Sequence, residues 1–241
     1  MGRPDRRRSV LFAVAIGLAV GAALIAASFL SSRSGAASEP PGEPTQTLSG
    51  VAEVTRVLDG IPQDGTALGR AEAPVTLVEY ADIQCPYCAQ WALGALPTLV
   101  EEYVRAGQLR IEFRGLAFIG PDSETALRTA LAAGNQDRLW QVLELLYANQ
   151  GAENAGWVTE DLLARLTASA PGLDPEQVVA DRESSGVDAQ MAEAQAQAQA
   201  SKVRGTPAFE IGRTGGALRP LAVTSLEPAQ FGAAIESVLA E

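Results

Sequence analysis

Two cysteines three residues apart, at the seam between a strand-like run and a helix-like run, constrain this 241-residue chain more than any other feature. The stretch ADIQCPYCAQWALGAL, residues 81–96, holds both cysteines of the chain, Cys85 and Cys88. Upstream, Val75 to Tyr80 in APVTLVEYADIQ are rich in β-branched and aromatic residues and follow a proline-marked turn, which predicts a buried strand. Downstream, Trp91, Leu93, Leu96, Leu99, Val100, Tyr103 and Val104 recur at helical spacing until Gly107. The helix should therefore open at Pro86, the first helical position that proline favours, with Cys85 at the N-cap. In QLRIEFRGL, Leu109, Ile111 and Phe113 then alternate with polar residues as a second strand. Strand, helix, strand in this order is a βαβ unit.

That placement gives the two thiols different environments. Cys85 sits at the positive end of a helix dipole near unpaired backbone N–H groups, which favour thiolate, while Cys88 lies one turn further in. The expected chemistry is an asymmetric pair in which Cys85 exchanges with substrate and Cys88 resolves the mixed disulfide. A purely structural disulfide at this spacing closes a very short loop and constrains little of the unfolded chain.

Composition narrows the alternatives. The chain contains no histidine, so Ser-His-Asp and Cys-His nucleophilic catalysis lack their base. Two thiolates alone complete a zinc site only with carboxylates or a second chain. The formal net charge of −11, together with the lack of a basic patch or a phosphate-cradling glycine loop, argues against nucleic acid and nucleotides. The apolar content of 47% is enough for one sizeable core.

The N-terminus bears on compartment. Arg3, Arg6, Arg7 and Arg8 precede an uncharged, mostly apolar run from Val10 to Leu30, VLFAVAIGLAVGAALIAASFL. As a helix such a run reaches about 30 Å, the thickness of a bilayer core, and it exceeds the roughly 7–15 apolar residues of a cleavable signal. We expect a basic cytoplasmic tail over 1–9, a single transmembrane signal anchor over 10–30, and an extracytoplasmic domain beyond it. The alternative is a long signal peptide cut near Ser34-Gly35-Ala36, after which the protein is secreted. Four basic groups and one acidic group lie in the first thirty residues, so the rest carries about −14 and should stay soluble beside the membrane. The stretch SSRSGAASEPPGEPTQTLSG, rich in Ser, Gly, Pro and Glu, predicts a flexible linker, set at 31–64, too short for a separate dimerisation domain.

From Pro121 the pattern turns helical for some eighty residues, with a break at Gly134-Asn135 and a helix-forming Ala-Gln tract in VDAQMAEAQAQAQASKV. VRGTPAFEIGR predicts a strand at Ala208–Ile211, GALRPLAV a hairpin partner, and a last amphipathic helix runs from about Glu227 to Leu239. The expected architecture is α/β, a split βαβ…ββα unit with a helical insertion at about 121–202.

VTLVEYADIQCPYC followed at a distance by VRGTPAFEIG resembles the thioredoxin fold, and the large helical insertion makes residues 65–241 similar to the DsbA-like group of bacterial disulfide oxidoreductases. The resemblance implies that Cys85 and Cys88 are the redox pair, with Pro86 and Tyr87 between them at the substrate face. It implies that Pro207 forms a cis peptide after Thr206 beside the cysteines, leaving Thr206 backbone groups free to pair with an extended substrate chain; an ordinary trans proline opening a strand is the alternative. Glu79 matches the acidic residue that the family places beneath the site. A buried, unpaired carboxylate tends to be neutral, so Glu79 is a candidate proton relay for Cys88; otherwise it is a partly solvated glutamate at a strand end. Tyr87 departs from the histidine of the most oxidising members and offers no cationic donor to the Cys85 thiolate.

The expectation is an extracytoplasmic thiol-disulfide oxidoreductase that introduces disulfides into exported proteins and needs no cofactor. Its partners would be folding proteins with cysteine thiols, membrane lipid through the N-terminal helix and, as the resemblance implies, a membrane quinone-coupled oxidase. The rivals are a reductase that keeps exported thiols reduced and a peptide-binding or chaperone module with incidental cysteines.

Overall fold

The computed structural model describes residues 47–241. The expected cytoplasmic tail, the anchor and the linker up to residue 46 lie outside the described residues, and among those described no helix is long and apolar enough to cross a membrane. In chain order the elements are α1 (Val51–Leu58), β1 (Gln63–Asp64), β2 (Ala67–Leu68), β3 (Val75–Asp82), α2 (Pro86–Leu99) and β4 (Leu109–Leu116). The inserted block follows: α3 (Pro121–Gly134), α4 (Leu139–Ala148), α5 (Glu160–Ala168), α6 (Pro175–Asp181) and α7 (Ser185–Ala200). The chain closes with β5 (Ala208–Arg213), β6 (Arg219–Leu221) and α8 (Pro228–Leu239).

One six-stranded sheet runs β1-β2-β4-β3-β5-β6. β3 pairs in parallel with β4 and antiparallel with β5, so the βαβ unit and the returning hairpin meet at the central strand. Every residue of β3 is buried, as expected of a strand covered on both faces, and its run of Val, Thr, Leu and Tyr suits that place. α8 packs on β5 and α2, where Trp91, Phe209 and Phe231 form an aromatic triangle with centroids 4.9–5.9 Å apart. On the same face of the sheet Phe113 meets Trp140 of α4 edge-on at 6.3 Å.

Two expectations need correction. The helix after Cys85 does not run uniformly to Gly107: it is α-helical to Leu99 and π-helical over Val100–Val104, with Arg105 N–H bonded to Val100 O. Pro97 lies inside it and lacks the N–H that a regular turn needs, and the widened turn follows directly. Gly107 ends the helical run as expected, at φ 73°. Leu93, placed on the apolar stripe by spacing, is exposed.

The other correction concerns residues 47–64, expected as linker. They form α1 and β1, and Val54, Val57, Leu58 and Ile61 enter the core. Ser49 and Asn149 exchange hydrogen bonds, N–H to Oδ1 at 2.9 Å and Nδ2 to O at 3.1 Å, and Arg105 donates to the Val57 and Asp59 carbonyls. An eight-residue helix is not stable alone, so docking against α4 supplies its stability. Each such aliphatic side chain contributes about 1.5–3 kcal/mol on burial. A chain begun at Gly65 should therefore unfold at clearly lower urea than one begun at Thr47; equal midpoints would return 47–64 to the linker.

Candidate active site

The strand-to-helix turn is built by a polar network around the fully buried Asp82, the last residue of β3. Its carboxylate accepts from Gln84 N–H (2.9 Å), Phe118 N–H (3.0 Å), Ile119 N–H (3.1 Å) and the Ser123 hydroxyl. Gln84 extends the network, its amide donating to Ser123 Oγ and its carbonyl accepting from Asn154 N–H at 2.7 Å. Gln150 donates to the Ile83 and Cys85 carbonyls at 2.6 and 3.2 Å. The inserted block thus grips the turn at each of its residues from Asp82 to Cys85.

On that turn Cys85 is the N-cap of α2 with Pro86 in the first helical position. The Thr206–Pro207 peptide is cis, and the Cys85 thiol donates to the Thr206 carbonyl at 3.3 Å. Pro86 and Tyr87 are exposed, while Thr206 and Pro207 are half-buried. Both cysteines are free thiols here; Cys85 retains 6% exposure and Cys88 none.

The electrostatics are strongly asymmetric. A hydrogen bond from the Cys88 thiol is the largest influence on Cys85; burial opposes it, and Thr206 and the Cys88 and Tyr87 backbone add to it, leaving the Cys85 thiol lowered to about 6. Cys88 moves the other way, raised by burial first, then by its bond to Cys85 and the charge of Glu79. Glu79 lies mid-strand between Phe113 and Phe209, 1% exposed, and neither of its oxygens has a hydrogen-bond partner. Burial chiefly, then Glu144 and Cys85, raise it well above the usual carboxylate range.

All seven residues singled out by sequence fall at this site or directly beneath it. The polar network and two further buried groups, Glu144 and Tyr147 of α4, escaped the sequence reading. For Glu144 a signal existed, a lone charge inside the apolar run LWQVLELLYA. Among the described residues no cluster of three metal-ligating side chains occurs.

Comparison with known proteins agrees with this geometry. A family model described as Thioredoxin matches residues 62–236. A probable disulfide bond formation protein D of Bacillus cereus is 34% identical over 148 residues, 60% of this chain and 68% of that protein. The chain belongs to the DsbA-like family of thioredoxin-fold disulfide oxidoreductases. Among solved structures, oxidised BdbD from Bacillus subtilis shares the fold with TM-score 0.64 at 22% identity, covering 75% of this chain and 98% of that one. A thioredoxin-like oxidoreductase from Silicibacter pomeroyi matches with TM-score 0.56 at 29% identity, covering 77% and 97%.

Membership fixes the enzyme class, a protein thiol-disulfide oxidoreductase, and three expected outcomes follow from the site. In the reduced native protein iodoacetamide should modify Cys85 alone, at a rate that rises with pH through a half-point near 6. A lowered thiol pKa stabilises the folded reduced form fully above the unfolded value and loses that contribution as pH falls through about 6, so acid should narrow its stability margin over Cys85→Ser. A half-point near 9 would contradict the site as described. Replacing Asp82 by Ala strands buried N–H groups at about 1–3 kcal/mol each, so chemical denaturation should show a loss of about 2–5 kcal/mol.

Proposed function

We propose that this oxidoreductase is a disulfide donor for exported proteins, working outside the cytoplasm through Cys85-Pro86-Tyr87-Cys88. The observation that carries the reading is the thiol asymmetry. A Cys85 thiol lowered to about 6 is a stabilised leaving group and stabilises the reduced form, which makes the disulfide more oxidising. The relatives named disulfide bond formation protein D support the same direction.

A substrate thiolate attacks Cys85 Sγ; the Cys85–Cys88 bond breaks, and Cys88 leaves with the bonding electron pair and takes a proton from Glu79. A second substrate thiolate attacks the substrate sulfur of the mixed disulfide and expels Cys85 as thiolate. The protein gains two electrons and the substrate gains one disulfide. The extended substrate pairs with Thr206 beside Pro207, while exposed Tyr87 and Phe118, whose N–H is tied to Asp82, offer apolar contact. In this reading residues 10–30 hold the domain at the outer face of the membrane, and a quinone-coupled membrane oxidase regenerates the disulfide. Sharing one bilayer raises the effective concentration of the two partners.

The reduction potential of the Cys85/Cys88 couple, equilibrated against glutathione, tests the direction. A value of about −120 to −180 mV marks a donor, whereas about −270 mV makes the protein a reductase. Cys85→Ser should abolish exchange; full activity in that variant would leave only a peptide-binding role.

A further inference from the structure

Glu144 belongs to the inserted block, yet its charge reaches Glu79, the acid beneath the redox pair. It lies on α4, which packs against α2, and it is 5% exposed with no ion pair among the described residues. Tyr147, one turn along the same helix, is 2% exposed and its hydroxyl has no hydrogen-bond partner. Glu79 feels the charge of Glu144, and Tyr147 feels those of Cys88, Glu79, Glu144 and Cys85, so the five groups form one buried cluster. Cations on the elements around α4 are engaged elsewhere: Arg56 of α1 with Glu53 and Glu101, Arg128 of α3 with Glu124 and Asp188, Arg165 of α5 with Asp161.

Two buried carboxyl groups with no cation between them do not both ionise, so at least one of the pair keeps its proton. Three of their four oxygens, both of Glu79 and Oε1 of Glu144, are sealed without a partner; the fourth is Glu144 Oε2. Of the two acids Glu144 is the more exposed, 5% against 1% for Glu79. A sealed acid that gives its proton to Cys88 must recover one before the next turnover, and of the two acids Glu144 lies nearer to solvent.

We propose that Glu144 is the proton outlet of the redox site, a positioning residue that acts through Glu79. When the disulfide opens, Glu79 protonates the departing Cys88 sulfur, Glu144 passes its proton to Glu79, and Glu144 is reprotonated from water. When the disulfide re-forms, each transfer runs in reverse and one proton leaves through Glu144. Burial raises Glu144 to about 8, so it ionises in the range where exchange is measured, and once ionised its charge adds to the burial that holds Glu79 protonated. The inference rests on Cys85 and Cys88 as the exchange pair and on Glu79 as the partner of Cys88; it does not depend on the direction of electron flow.

The test is the rate at which the oxidised full-length chain reacts with dithiothreitol, followed by tryptophan fluorescence from about pH 5 to 10, for wild type, E79Q and E144Q. E79Q should be slower by about 10²-fold at every pH. E144Q should retain the unfolding midpoint of the wild type or exceed it, yet lose the inflection near pH 8 and become about 10-fold slower below it. A wild-type profile in E144Q together with a slow E79Q overturns the outlet alone. An unchanged E79Q overturns the Glu79 relay and the outlet with it, while the donor assignment stands or falls separately on the potential. Should E144Q fail to fold, carboxyl carbon-13 NMR of the wild type and of E79Q decides. A glutamate titrating near 8 whose midpoint moves in E79Q supports the outlet, and its absence overturns it.

Discussion

Asp82 and Glu79 sit three residues apart on the same buried strand, and the difference between them organises the rest of the site. A carboxylate removed from water is costly unless its lone pairs are met by donors. Asp82 meets two loop N–H groups, the N–H of Gln84 and the Ser123 hydroxyl, and so joins β3, the loop after β4 and the start of α3 at one point. Glu79 meets none. The first carboxylate has its cost offset by hydrogen bonds and fixes geometry; the second keeps its cost, holds its proton and remains available for chemistry.

The same contrast governs the sulfurs. Cys85 and Cys88 differ by one helical turn, yet the helix terminus lies on one side of the pair and the sealed core on the other. Donors from Cys88, Thr206 and the backbone hold the Cys85 charge, while Cys88 faces Glu79 in a low-dielectric interior that disfavours thiolate. A thiolate at Cys85 is stabilised by the proton that Cys88 retains, so the asymmetry belongs to the pair.

Much of this was legible in sequence because the signals were local. The continuous β-branched run from Val75, the alternation around Leu109, the proline after Cys85 and the Gly-Thr-Pro before Phe209 each reflect backbone geometry that a few adjacent residues decide. α1 was not legible in the same way: Gly50 at its N-cap supplies no capping side chain, and the helix is stable only against α4, some ninety residues away. The π-helical turn after Pro97 depends on hydrogen-bond choices that hydrophobic spacing does not record. Gln84, Ser123, Asn154 and Gln150 are ordinary polar residues until folding gathers them around one turn. Glu144 stood out as a charge in an apolar run, but only the packing of α4 on α2 says which charge it faces.

The inserted helices therefore belong to the active site. A bare strand-helix-strand unit presents the two cysteines at a helix terminus, but its turn leaves the Ile83 carbonyl without a donor and the Cys85 carbonyl with the Ala89 N–H alone, and its buried acid has no neighbour. The insertion supplies Gln150 to those carbonyls, Ser123 and Asn154 to the Asp82–Gln84 network, and Glu144 and Tyr147 to the acid below. These contributions come from α3, α4 and the loop after α4. Because the groups that rigidify the turn and those that tune its acid share a helix and the loop that follows it, a shift of α4 relative to the sheet alters the reach of the Cys85 sulfur and the protonation of Cys88 together.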